Sequence, residues 1–230
     1  MASNVIALIP HFDEVVLTDN NKLAARVAIP QTGDGFSSYM RGRLAEDLPL
    51  YVQRLDTHCA VSQHLAAVSA LDRCYGASPP EKAVRIRRAL AYAGVYYHHL
   101  EQLFLSRPSG DVGIAGLVTT DETLAPTDIF ETLGRARDVI DILGGRGITP
   151  ECGIAGGVTK GPTDDELPRA KDISSHLLEF ALQAEKGFRG SGAIWVTEHD
   201  LSVPAYSLGT VNDVAEASLY DGALRIVDPE

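Results

Sequence analysis

The sequence predicts an α+β fold that is mainly helical, with small β elements at its two ends. Apolar residues recur at spacings of three and four between residues 83 and 104, which is the clearest helical period in the chain. Short apolar runs bounded by turn residues mark the first thirty positions, and the sequence after residue 193 is again strand-like. These patterns predict terminal strands packed beside a bundle of about four long helices.

The N-terminal part, residues 1–35, is predicted to be β-rich. Residues 14–18 and 23–29 have the composition of strands, and Asp-Asn-Asn at 19–21 is typical of the turn between them. Gly-Asp-Gly at 33–35 then ends this strand pattern.

A helical core is predicted over residues 45–190. Its first long helix is expected over 48–75 and ends at Gly76, since glycine commonly follows the last turn of a helix. Two prolines at 79–80 supply the fixed φ angle that starts the next helix, which continues to residue 104.

Two further helices and a tail complete the predicted domain. A helix over 128–143 is followed by two glycines, and Thr-Asp-Asp-Glu at 163–166 is a capping box that starts a helix running to about residue 187. Strand-like sequence predicts a β-rich tail over 193–230. We expect the whole chain, residues 1–230, to form a single domain.

The charge and cysteine content argue against several classes of protein. The 230 residues include 20 Lys and Arg against 31 Asp and Glu, and the resulting net charge of −11 disfavours nucleic-acid binding. Three cysteines are too few for a disulfide framework. No signal-peptide pattern is present, and no apolar run approaches the ~18–20 residues that span a bilayer. A cytoplasmic protein without a membrane span is expected.

The densest group of metal-capable side chains begins at Asp56. On one continuous helix, Asp56, Cys59 and Gln63 would share a stripe, whereas His58 would point in another direction. Zinc or iron usually needs several thiolates or imidazoles on one face, and only Cys59 qualifies on this stripe. From spacing alone, a buried cysteine beside a carboxylate at the helix start is the favoured interpretation.

Two other candidate features are interpreted as structural. The glycine-rich loop at 144–157 has neither the Gly-Lys-Ser/Thr ending of a P-loop nor the strand–loop–helix context of a dinucleotide site, so a turn is favoured over an anion cradle. His98 and His99 are adjacent in a helix and cannot both face one site, so they are predicted to be packing and surface residues.

The group at Asp56 resembles part of a known motif. Arg-Leu-Asp-Thr-His-Cys at 54–59, followed by Leu-Ala-Ala at 65–67 and Ala-Leu-Asp at 70–72, resembles the first metal-binding motif of nickel–iron hydrogenase large subunits. The resemblance implies a large-subunit-like helical bundle with small terminal β elements. It extends in order to the family's long core helix at 79–105, its glycine loops at 144–150 and 156–161, and a segment of its viologen-reducing and deazaflavin-reducing branch at 219–230.

The metal ligands that the resemblance implies are mostly replaced. Family members hold nickel and iron with two Cys-x-x-Cys pairs, because soft thiolates suit these metals. Cys59 matches one cysteine of the first pair, Asp56 stands at the other, and Gln63 stands at the following histidine position. Pro10 aligns with a proton-relaying glutamate, and the second pair has no counterpart. Asp56, Cys59 and Gln63 are therefore predicted to be remnant metal-site positions, with Cys59 as the one remaining ligand.

The resemblance implies a hypothesis for function. We expect a catalytically degenerate large-subunit homologue, inactive on its own, that docks an iron–sulfur small subunit within a larger electron-transfer complex. No cofactor is expected in this chain, and the iron–sulfur clusters are expected in the partner.

Two alternatives stay open at this point. The first is a split nickel–iron hydrogenase, in which a second polypeptide supplies the missing half and a nickel–iron centre forms. The second is a quinone-reductase-like subunit, which Arg54-Leu55-Asp56 also resembles, with a small molecule in the old metal pocket. For that case the candidate pocket residues are Arg54, His58 and His64, with the histidines or tyrosine residues as proton donors.

Overall fold

The structure, a computed structural model, describes the chain in seven stretches: residues 5–9, 13–16, 33–55, 57–104, 124–190, 207–214 and 216–227. Two compact units comprise residues 1–44 and residues 45–230. The boundary between them coincides with the start of the predicted helical core. The single domain over 1–230 stays a prediction.

The first unit contains a β-hairpin and a short helix. Strands β1 (Val5–Ile9) and β2 (Asp13–Val16) are antiparallel, with Val5 opposite Val16. Strand β2 overlaps the strand predicted at 14–18, but its partner is β1, which precedes it in the sequence. The strand expected at 23–29 falls outside the described residues. Helix α1 (Gly33–Met40) begins at the Gly-Asp-Gly sequence where the strand pattern was predicted to end. Glycine propensity is a weak prior that the rest of a helix can override.

The second unit opens with two helices where one was predicted. Helix α2 (Leu48–Val52) follows a 3₁₀ turn at Ala45–Asp47, and helix α3 runs from Ala60 to Tyr75. The continuous helix predicted over 48–75 was therefore wrong. Short polar residues such as Thr57 favour turns because their side chains compete for backbone hydrogen bonds. Gly76 ends α3 as expected, with a φ of 59°.

The three remaining long helices confirm the mainly helical prediction. They are α4 (Glu81–Phe104), α5 (Pro126–Gly144) and α6 (Glu166–Gly190). At the start of α6 the capping box is formed, since the Thr163 and Glu166 side chains each accept the other residue's backbone N–H. No described helix has the length and apolarity to cross a membrane.

Helix α4 packs against both α3 and α5, and α5 packs against α6. A close approach of α3 and α4 occurs at Gly94, where a Cβ atom would lie 2.8 Å from Val61. The Tyr96 hydroxyl donates to the Leu177 carbonyl of α6 over 2.7 Å, and the rings of Phe104 and Phe180 meet edge to face. One apolar core therefore extends through the four helices, with Leu90 and Ile140 among its fully buried members.

Two small hairpins complete the second unit. Strands β3 (Gly153–Ile154) and β4 (Gly157–Val158) form the first, which confirms that the glycine-rich loop contains a turn. Strands β5 (Ser207–Val211) and β6 (Ala223–Val227) form the second in the predicted β-rich tail. Arg88 of α4 forms an ion pair with Asp221, which ties the tail to the helices.

Candidate functional site

Cys59 lies at the N-terminus of α3 and is exposed. It is the N-cap residue, and its carbonyl accepts the Gln63 N–H over 2.9 Å. Because the helix begins only at Ala60, Cys59 does not share a continuous helical stripe with position 56, and its expected burial was wrong. Asp56 itself falls outside the described residues.

A small cavity adjoins Cys59. It has a volume of about 70 Å³ and is lined from α3, from the middle of α4 and from Ile140 and Ile148. Small-molecule sites usually measure ~300–1,000 Å³, so this cavity has room for an ion and a few waters rather than for a ring-sized ligand. Its polar lining includes the imidazoles of His58, His98 and His99.

Three metal-capable side chains cluster beside this cavity. His58, His98 and Glu101 each offer a ligand atom, and these three atoms lie within 4.8 Å of one another. His58 Nδ1 lies 3.3 Å from Glu101 Oε2. His58 was a predicted pocket residue, whereas His98 was predicted to be a packing or surface residue. The missed signal was the spacing of three between His98 and Glu101, which places both on one face of α4.

His64 is fully buried and both of its ring nitrogens are engaged. Its Nδ1 lies 3.3 Å from the Pro49 carbonyl, and its Nε2 accepts the Gly153 N–H over 3.0 Å. This pattern requires a neutral ring protonated at Nδ1. Burial, opposed by the Pro49 carbonyl, lowers the pKa of His64 below its ordinary value. His64 is therefore a structural histidine that joins α2, α3 and β3.

The predicted pocket of Arg54, His58 and His64 does not assemble around one cavity. Of the three, only His58 lines the cavity beside Cys59. Arg54 is exposed, and its guanidinium donates to the Leu50 carbonyl over 2.8 Å. His64 faces the β3–β4 hairpin instead. The interruption between α2 and α3 explains this separation, because it changes the directions that one helix would have imposed.

A buried ion pair that no sequence pattern indicated joins α3, α4 and the β3–β4 hairpin. Arg87 is 1% exposed, and its Nη1 lies 2.5 Å from the Asp72 carboxylate. The same guanidinium donates to the carbonyls of Ile154 and Gly157, while the Gly156 N–H donates to Asp72. Burial acts to raise the pKa of Asp72, but the hydrogen bonds from Arg87 and Gly156 outweigh this effect. The pKa of Asp72 therefore lies below its ordinary value.

An apolar groove runs between α4 and α6. Its volume is about 590 Å³. Beyond the groove, α6 carries Leu178 and Leu182, which are 60% and 50% exposed and one turn apart. A contiguous apolar surface of this kind usually marks a contact with another chain or segment. The groove is lined by Tyr92, Tyr96, Leu103, Phe104, Phe180 and Ala184, among others.

Comparison with known proteins identifies relatives of about twice this length. No protein-family model matches the chain. It is 28% identical over 218 residues to a subunit of the F420-non-reducing hydrogenase vhc of Methanococcus voltae, covering 85% of this chain and 44% of that protein. Identity to the corresponding vhu protein of Methanocaldococcus jannaschii is 26% over 209 residues, covering 85% and 49%. The chain thus spans about half the length of these curated relatives.

Solved structures share the fold over nearly the whole chain. An NAD+-reducing nickel–iron hydrogenase in its H2-reduced state superimposes with a TM-score of 0.71 and 25% identity, covering 100% of this chain and 55% of that chain. A nickel–iron–selenium hydrogenase of Dm. baculatum gives a TM-score of 0.73 at 16% identity, covering 99% and 55%. The second likeness, at its low identity, concerns the fold alone.

Proposed function

The chain is a distant homologue of the large subunit of nickel–iron hydrogenases, and from that premise we propose that it is a catalytically degenerate, docking member. In this proposal it holds an iron–sulfur protein within an electron-transfer complex and carries no nickel–iron centre of its own. The relatives are named as subunits of hydrogenases, which supports assembly with other chains. A cytoplasmic location remains part of the prediction.

The observation that carries the proposal is the donor set beside α3. Among the described residues, the cavity there is lined by one thiol, Cys59, while the other side chains that line it are imidazoles, hydroxyls and apolar groups. Cys74 lies fifteen residues further along the helix, about 22 Å away at 1.5 Å per residue. Soft, thiolate-bridged metals need several sulfur ligands together, so these residues do not fit a nickel–iron centre.

The buried position of His64 argues against the quinone-reductase-like alternative, in which it was a candidate proton donor. A proton relay needs a ring that can change protonation state near neutral pH. His64 has both nitrogens engaged by backbone groups, and burial favours its neutral form. It is suited to hold the hairpin rather than to shuttle protons.

The apolar groove between α4 and α6 supports a docking role. Helix α6 places Leu178 and Leu182 in solvent, and α4 adds Tyr92 and Leu103. A partner that covers these side chains would gain ~25 cal/mol of stabilising free energy for each Å² of apolar surface removed from water. The net charge of −11 favours a partner with basic residues around an apolar centre.

The cavity size disfavours the quinone-reductase-like alternative. A volume of about 70 Å³ is below that of ordinary small-molecule sites. The split-hydrogenase alternative differs from our proposal in the metal that the assembled protein would hold. Measuring the nickel content of the assembled protein therefore distinguishes the split hydrogenase from a degenerate docking subunit.

The first experiment measures nickel and activity in the purified chain, alone and with its co-expressed partner subunits. We expect less than stoichiometric nickel and no hydrogen-dependent reduction of a viologen dye. Stoichiometric nickel together with such reduction would refute degeneracy and favour the split enzyme.

The second experiment tests docking. The chain is co-expressed with a small-subunit-like iron–sulfur protein, and the complex is measured by size-exclusion chromatography with light scattering and cluster absorbance. We expect Leu103→Asp, which changes an exposed residue of the groove lining, to abolish the complex. Phe130→Asp, which changes an exposed apolar residue of α5 outside the groove lining, is the matched control and should retain it. Equal retention by both variants would contradict docking at this groove.

A further inference from the structure

We propose that His58, His98 and Glu101 bind one divalent transition-metal ion of the zinc class at the mouth of the cavity beside Cys59. The site is distinct from a thiolate-held nickel–iron centre, because the cluster consists of two imidazoles and one carboxylate and does not include Cys59. It would join the turn before α3 to the last turns of α4.

The geometry of the cluster suits such an ion. Zinc binds histidine nitrogen and carboxylate oxygen at ~2.0–2.2 Å, so two ligand atoms on a tetrahedral ion lie about 3.4 Å apart. His58 Nδ1 and Glu101 Oε2 already lie 3.3 Å apart. All three ligand atoms fall within 4.8 Å of one another, so the largest separation must shrink by at most about 1.4 Å, a change within reach of side-chain rotation.

The ligand types select the class of metal. Imidazole suits zinc, copper, iron and nickel, whereas calcium and magnesium prefer all-oxygen ligands. Two histidines and one carboxylate match sites that keep a further position for water, and the cavity of about 70 Å³ provides space for it.

The state of His98 gives a second, independent observation. Its Nδ1 is buried, and among the described residues it has no hydrogen-bond partner. Buried polar atoms are nearly always paired, so an unpaired one often indicates an ion or ordered water nearby. A metal on Nδ1 would pair this buried atom directly, whereas a metal on Nε2 would fix the tautomer and leave Nδ1–H to donate to a water in the cavity.

The test measures metal binding to the full-length chain. The protein is titrated with Zn²⁺ against a chromophoric competitor, and Co²⁺ serves as the optical probe. We expect about one Zn²⁺ per chain, and a loss of affinity of about tenfold or more in His58→Gln and in Glu101→Gln. Both side chains are partly in solvent, so these variants should fold, which circular dichroism checks.

His176→Gln is the matched control, because His176 is an exposed histidine of α6 that pairs with Asp172 outside the cluster. It should retain wild-type affinity. Absence of stoichiometric binding, unchanged affinity in the two cluster variants, or an equal loss in the control would overturn the site. So would a sulfur-to-cobalt charge-transfer band that disappears in Cys59→Ser, since it would assign the ion to the thiolate.

Discussion

Replacing Asp72 with asparagine tests how strongly the buried ion pair holds the helices and the β3–β4 hairpin together. The substitution keeps the side-chain shape but leaves the Arg87 guanidinium, which is 1% exposed, without its counter-charge. Breaking a buried pair in this way typically costs ~3–5 kcal/mol. Because Arg87 keeps the Ile154 and Gly157 carbonyls as acceptors, we expect a loss near the lower end, about 3 kcal/mol.

The assay is urea unfolding followed by far-UV circular dichroism, with a matched control on the same helix. Arg88 and Asp221 form an ion pair at the same 2.5 Å distance, but both side chains are 46% exposed. Asp221→Asn should therefore cost only ~0–1 kcal/mol. If Asp72→Asn were no more destabilising than Asp221→Asn, the buried ion pair would not hold the helices and the hairpin together as described.

The pH dependence of the same variants gives a further check. The folded-state pKa of Asp72 is lowered, so its contribution to stability is present above the ordinary pKa of 3.8 and is lost as pH falls through the folded value. The difference in unfolding free energy between wild type and Asp72→Asn should thus shrink in acid. A difference that stays constant down to ~pH 2 would contradict this sign.

Three further predictions concern His64, the helix contacts and a cap. Burial lowers the pKa of His64, so the stability that the neutral ring confers should decline as pH falls below its ordinary pKa of 6.5. The urea midpoint of the wild type should therefore fall over this pH range, and that of His64→Gln should not show this dependence. Gly94→Ala should destabilise by about 1–3 kcal/mol because its Cβ would overlap Val61, whereas Gly134→Ala, with open space around it, should stabilise by about 0.5–1 kcal/mol in the same assay. Thr163→Ala should cost about 1 kcal/mol, measured by thermal unfolding, because α6 loses its capping hydroxyl.

The parts of the fold that could be predicted from the sequence are those determined by neighbouring residues. Gly76 ends α3, the prolines at 79–80 precede α4, and the box at 163–166 starts α6, since each signal acts within one helical turn. The interruption between α2 and α3 was missed. Apolar residues continue through residues 52–59 at helical spacing, and the pattern alone does not reveal a short break.

The parts of the site that could not be predicted depend on distant residues. Arg87 meets Asp72 fifteen residues earlier and the hairpin about seventy residues later. His64 meets Gly153 across eighty-nine residues. No local pattern reports such contacts, so His64 was interpreted as a candidate proton donor when it is a structural residue. His98 and Glu101 were within reach, because their spacing of three is a local signal.

The β3–β4 hairpin is held largely through its backbone. Arg87 contacts the Ile154 and Gly157 carbonyls, while Asp72 and His64 accept the N–H groups of Gly156 and Gly153. Gly153 has no room for a side chain, because a Cβ atom there would lie 2.7 Å from His64 Nε2, and Gly156 has a φ of 78°. The Ile154 side chain, in contrast, is exposed. Position 154 can therefore be substituted or labelled while the helices keep the hairpin backbone in place.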